Sequence, residues 1–334
     1  MRHFNFLLLF VPLSVFASSL GGPLAGYATF ANGSELRAIM GTPGSYQFSA
    51  PLPLPEGSTR VHPAPGRDFA LVERAMSADF QETPPGIVRY TDGAIEAFAA
   101  MQGAIASPDW VAFSNEGGAA VLYSARSNRL QVWSGLPGSP QLMLDRPVDA
   151  VLGWLVTAAV SEDGKTLLAA SRNAVHLIPA NGTPRLLLSG GLIASVAMLR
   201  NGQDAAVADR GAGAIQLLHG VASGTDVRVL ASGLEDIGAL YPSSDGNSLY
   251  ASIPSLKSIA AIDIGSGAVI TFECGVAARQ LKRLRSRDTF LISSSPRQPG
   301  WVFFREEPAD AGSAVRIGKT VFIPALAQGQ EELR

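Results

Sequence analysis

The densest run of charge is RQLKRLRSRD at residues 279–288, which carries Arg279, Lys282, Arg283, Arg285 and Arg287. Alternate side chains of an extended strand share one face. Arg283, Arg285 and Arg287 are therefore expected to point one way, with Leu284 opposite, as a set of cations able to attract an anionic ligand. The competing reading is a solvated strand end with no function. Acids occupy comparable junctions: Glu235 and Asp236 in SGLEDIG, and Asp145 and Asp149 beside Arg146. Were these junctions to surround a single opening, it would mix acids and cations.

Other chemistry is thin. The histidines are His3, His62, His176 and His219, and none has a neighbouring His, Cys or acid at a metal-ligand spacing. His176 and His219 occupy equivalent strands, where packing on a sheet face is the expectation. The single cysteine, Cys274, has no intramolecular partner and lies in the apolar AVITFECG, so a buried inert thiol is expected. No nucleophile elbow, paired Cys-x-x-Cys or phosphate-cradling glycine loop is present. Asn32 and Asn181 match a glycosylation acceptor, but as Asn-Gly pairs they also suit hairpin tips. No metal or cofactor is expected from these residues.

The elements that position these groups follow from a repeat. In residues 155–189 the apolar LVTAAV leads through SEDG to KTLLAAS, then through RN to AVHLIPA, and through NG to TPRLLLS. Asp-Gly and Asn-Gly tolerate the positive φ that tight hairpin turns require. Four such strands in about 40 residues make one propeller blade. Similar copies span 110–145, 194–232 and 237–275. A looser copy runs over 59–101, and a last one begins at Gln280. Asp163 and Asp245 sit in the repeat turns, where bonding to nearby backbone amides is the expected role. The copy at 114–118 has Ser-Asn-Glu-Gly-Gly instead.

GYATFANGSELRAIMG at 26–41 matches VHLIPANGTPRLLLSG at 175–190, so it is expected to be a third-and-fourth-strand hairpin. The apolar KTVFIPA at 319–325 is the expected donor that completes this blade. The expected fold is all-β: a propeller of seven blades of four antiparallel strands, its ring closed by strands shared between both termini, with six blades the alternative. The cationic run then lies on the innermost strand of its blade and the turn leaving it, lining or rimming the central channel.

SEDGKTLLAA and SSDGNSLYAS resemble the Ser-x-Asp-Gly-x-x-Leu-Tyr-Val core of YVTN and TolB-type (WD40-like) β-propeller repeats. The resemblance implies a propeller. Its members include protein-binding scaffolds and sugar-lactone hydrolases, the latter using channel-facing acids and amides around a divalent metal such as calcium. No motif here matches that ligand set.

Charged residues make up 16% of the chain, below the roughly 25% of an average globular protein, which suits many short strands. A formal net charge of −2 argues against a nucleic-acid surface. MRHFNFLLLFVPLSVFASS joins a cationic start, an apolar run and small residues, the pattern of a secretory signal peptide cleaved after Ala17. Residues 18–334 are then one exported domain, secreted or periplasmic, with no membrane span. The composite expectation is a non-catalytic binding module for an unidentified protein or small-molecule ligand. The alternative is a metal-dependent hydrolase of a sugar lactone or related ester.

Overall fold

A computed structural model describes residues 22–76, 79, 82–148, 152–293, 300–306 and 317–323. The expected leader (1–17) and Asp149 lie outside them. Among the described residues the strands form seven sheets, the seven blades of a β-propeller. Six are four-stranded antiparallel meanders, at 58–100, 110–147, 155–189, 193–232, 240–273 and 280–322 (blades two to seven). Blade one, at 24–51, has three strands.

The repeat turns fold as their chemistry dictates. In blade four the Ser161 hydroxyl donates to Asp163 (2.6 Å) and accepts from Thr166 N–H (3.0 Å). Asp163 also accepts Lys165 N–H (3.1 Å), and Gly164 holds φ +73. Blade six repeats this with Ser243, Asp245, Asn247 and Ser248, and Gly246 at φ +78. Hydrogen bonding to Ser161, the largest influence on Asp163, lowers its carboxyl pKa.

Apolar side chains from both faces of each sheet fill the spaces between blades. Seven clusters result among the described residues, one at each blade–blade interface. The cluster between blades seven and one joins Ala28, Ile39 and Phe48 to Leu284, Leu291, Val302 and Phe304. Each such aliphatic or aromatic side chain contributes about 1.5–3 kcal/mol when fully buried.

This corrects the expected closure. The strand Ile317–Phe322 pairs with Trp301–Glu306, from Trp301↔Phe322 to Glu306↔Ile317, and so completes its own blade. A hairpin to the adjacent edge satisfies its backbone groups without a crossing to blade one. Side-chain packing, not a shared strand, joins blade seven to blade one.

The 26–41 hairpin is likewise not a third-and-fourth pair. Leu24–Phe30 is the inner strand of blade one, followed outward by Glu35–Thr42 and Ser45–Pro51. It starts beside the blade-seven turn, where Arg285 N–H donates to Ala25 O (2.8 Å). It ends at a turn whose Gly33 lies beside Arg60 of blade two. It therefore runs against the other inner strands. After it, PLPLPEG (51–57) places prolines at alternate positions, which removes ladder donors and prevents a fourth strand. Leu52 N–H instead donates to Leu36 O (2.8 Å), and Leu52 and Leu54 pack on the interface with blade two.

Candidate functional site

The inner strands of all seven blades line a central cavity of about 700 Å³. Its end at the Ser-x-Asp-Gly turns is crossed by the departing turn of blade three. Ser114 keeps its place there, donating to Ala119 O and accepting Ala119 N–H (2.9 Å). No aspartate follows it at the repeat position. Glu162 of blade four supplies the missing carboxylate, accepting from the Ser114 hydroxyl (2.9 Å), Glu116 N–H (2.6 Å) and Gly118 N–H (3.1 Å).

Held this way, Asn115 reaches across the channel. Its Nδ2 donates to Met198 O of blade five (2.7 Å), and its carbonyl accepts from the Tyr241 hydroxyl of blade six (2.6 Å) and Arg283 Nη1 of blade seven (3.4 Å). Glu116 adds ion pairs to Arg200 (3.1 Å) and Arg283 (3.8 Å), while its carbonyl accepts from Arg67 of blade two (2.7 Å). Burial is the main cause that pushes the Tyr241 phenol up, beyond its ordinary range. The hydroxyl therefore stays a donor at any physiological pH.

The lumen is cationic on its blade-seven side. Arg279, Lys282 and Arg283 all line the cavity. Lys282 pairs with Leu291 across the sheet, so the two share the face toward blade one. Its surface is accessible, but only to the channel lumen. Enclosed by protein, its ammonium is held below the usual lysine range by desolvation. Lys282 has no hydrogen bond or ion pair among the described residues. Two further donors are buried without a partner among the described residues, Arg283 Nε and Trp110 Nε1, and both residues line the cavity. Blade two adds His62 and Arg60, both paired with the buried Glu73 (2.7 and 2.9 Å).

The sequence-predicted set is divided. The inner strand of blade seven is Gln280–Arg283 and stops there, because Leu284 N–H turns back to Thr289 O (2.8 Å). Alternation therefore does not extend to the other two arginines. Arg283 lines the lumen; Arg285 pairs with Asp68 at the turn end, and Arg287 is exposed on the same turn. Glu235 and Asp236 precede the inner strand of blade six, at the opposite end of the channel from Arg283, and Asp236 pairs with Arg210 (3.4 Å). Asp145 is held within blade three by Arg129 and Gln131. The expected single mixed opening is thus not assembled by these residues.

His176 is buried on its strand, and His219 pairs with Asp204 (3.3 Å). Cys274 is buried with its thiol against Lys257 O and Val276 O, and burial pushes its pKa up. Among the described residues no group of three His, Cys, Asp or Glu side chains could hold a metal ion. Nor is any helix among them long and apolar enough to cross a membrane. The residues missed from sequence were Asn115, Glu162, Tyr241 and Lys282. The broken turn at 114–118 was the available signal for the first two, and the charged run contained the last.

No family model and no curated protein matches the chain. Solved structures do. It is similar to a putative 6-phosphogluconolactonase from Bacteroides fragilis (TM-score 0.57, 15% identity, covering 90% of this chain and 94% of that one). It is also similar to a periplasmic gluconolactonase of Pseudomonas aeruginosa (0.56, 15%, 90% and 96%) and to Kluyveromyces lactis Hsv2 (0.55, 10%, 90% and 98%). At these identities the likeness is one of fold, and the fold it shows is the propeller.

Proposed function

We propose that the protein is an exported, non-catalytic binding module that holds a small anionic ligand in its central channel. The observation that carries this reading is the cluster of unanswered donors in the lumen: Lys282 without a partner and Arg283 Nε and Trp110 Nε1 without acceptors. Buried donors are nearly always satisfied, and an anion bound at this wall would satisfy them together. Asn115 closes the turn end, so the ligand enters from the other. The leader supports export, and a secreted or periplasmic location fits a chain whose only cysteine is buried.

A second reading, hydrolysis of a sugar lactone with a divalent metal, is favoured by the two gluconolactonases among the similar structures. Calorimetric titration with gluconate, against neutral glucose, separates the two. Gluconate is expected to bind with an affinity that falls as salt rises, and a folded R279Q/K282M/R283Q variant is expected to lose that binding. Gluconate binding that is unchanged in the variant, or absent from the wild type, would overturn the anion reading. Calcium-dependent turnover of gluconolactone would establish the second.

A further inference from the structure

We infer that the ligand is a 2-oxo acid and that Lys282 holds it as a reversible imine. This deepens the anion-binding reading and rests on it.

The chain has four lysines, Lys165, Lys257, Lys282 and Lys319, among 26 cationic side chains. Arginine supplies the rest and stays protonated at all accessible pH, so it serves charge alone. A lysine amine can lose its proton and become a nucleophile. Three of the four lysines are on the exposed surface; Lys282 stands in the channel.

Its surroundings suit an amine more than an ammonium. Leu291 shares its face of the sheet, and Gly300 and Phe48 pack against Leu291 and each other, with Phe30 edge-on to Phe48 (4.8 Å). That wall offers hydrocarbon, and no carboxylate pairs with Lys282. Desolvation by these neighbours lowers the proton affinity of Nζ and so raises its free-base fraction at neutral pH. A reactive amine alone would accept any aldehyde. Arg279 and Arg283, on the same strand, line the same cavity and add fixed positive charge for a carboxylate beside the carbonyl.

The chemistry balances without a further reagent. The Nζ lone pair attacks the carbonyl carbon, a C–N bond forms, and the nitrogen proton passes to oxygen to give a carbinolamine. The C–O bond then breaks, water leaves, and the C=N bond remains. The sum is amine plus carbonyl giving imine plus water, reversed by hydrolysis.

The test uses glyoxylate and borohydride on the mature protein, followed by peptide mapping of all four lysines. Reduction of the imine fixes it as N-carboxymethyl-lysine. The expected result is modification of Lys282 roughly tenfold above each surface lysine, because a lower proton affinity raises the free-base fraction in proportion. It is lost in Lys282→Arg, whose melting curve shows that the fold is retained. Equal labelling of the four lysines would overturn the inference, as would no labelling of Lys282. In either case, gluconate binding by calorimetry would show that the anion reading survives, and its absence would show that both have failed.

Discussion

The departing turns of blades three and four differ in a single respect, the source of the carboxylate. In blade four Ser161 and Asp163 close their own turn. In blade three Ser114 has no aspartate after it, and Glu162 of the next blade caps the turn from outside. The self-sufficient turn stays at the rim. The dependent one is drawn over the channel, where Asn115 and Glu116 contact blades two, five, six and seven. The repeat is thus broken where the fold acquires a feature beyond the ring itself, a closed channel end.

Both turns still need glycine, and this gives the largest expected effect. Gly164→Ala meets a left-handed φ and a Cβ 2.9 Å from Ser134 Cβ, so stability should fall by about 2–3 kcal/mol. Gly117→Ala, at φ +75 and 3.2 Å from Ala64 Cβ, should lose a similar amount. Chemical denaturation checks both, and a neutral Gly117→Ala would break the equivalence of the turns.

The adjacent acids Glu162 and Asp163 serve different blades, which sharpens the comparison. Glu162→Ala strands two backbone amides and a hydroxyl of blade three and is expected to cost about 1–3 kcal/mol. Asp163→Ala affects only its own exposed turn and should cost less, about 0.5–1 kcal/mol. Equal losses on denaturant titration would contradict the division of labour.

Asn115→Ala removes the Nδ2 bond to Met198 O and leaves the carbonyl contacts in place. A loss of about 1 kcal/mol is expected, with faster amide exchange confined to the turn 114–118 and its channel partners.

The smallest effect is in acid. The Asp163 carboxyl is lowered in the folded protein, chiefly by Ser161, so its stabilisation is present above the unfolded aspartate pKa and is lost as pH falls through the folded value. Ser161→Ala should raise that pKa and weaken the acid dependence of stability, readable by NMR of the Asp163 carboxyl.

The same contrast explains what was legible in the sequence. Hairpin turns are local, so Asp-Gly and Asn-Gly placed the blades within a residue or two across 110–275. The choice of partner for residues 317–322 is not local: an apolar strand does not declare which free edge it will pair with. The reversed inner strand of blade one was obscured by its match to the outer hairpin of blade four, although the alternating prolines of 51–57 marked the missing strand. The charged run was visible as charge, but the strand end after Arg283 depends on the turn bond from Leu284 to Thr289. Alternation therefore gave weight to Arg285 and Arg287, which lie at the rim, and away from Lys282. Asn115 meets its partners 83, 126 and 168 residues away, which no window on the sequence contains.

Carbon-13 NMR of the lysine side chains tests the central claim most directly, since the chain has only four of them. One resonance, absent in Lys282→Met, should titrate below the other three and shift when gluconate is added. Four resonances that titrate together near the ordinary lysine value of about 10.4, with none moved by gluconate, would contradict an enclosed, unpartnered lysine as the recognition point of the channel.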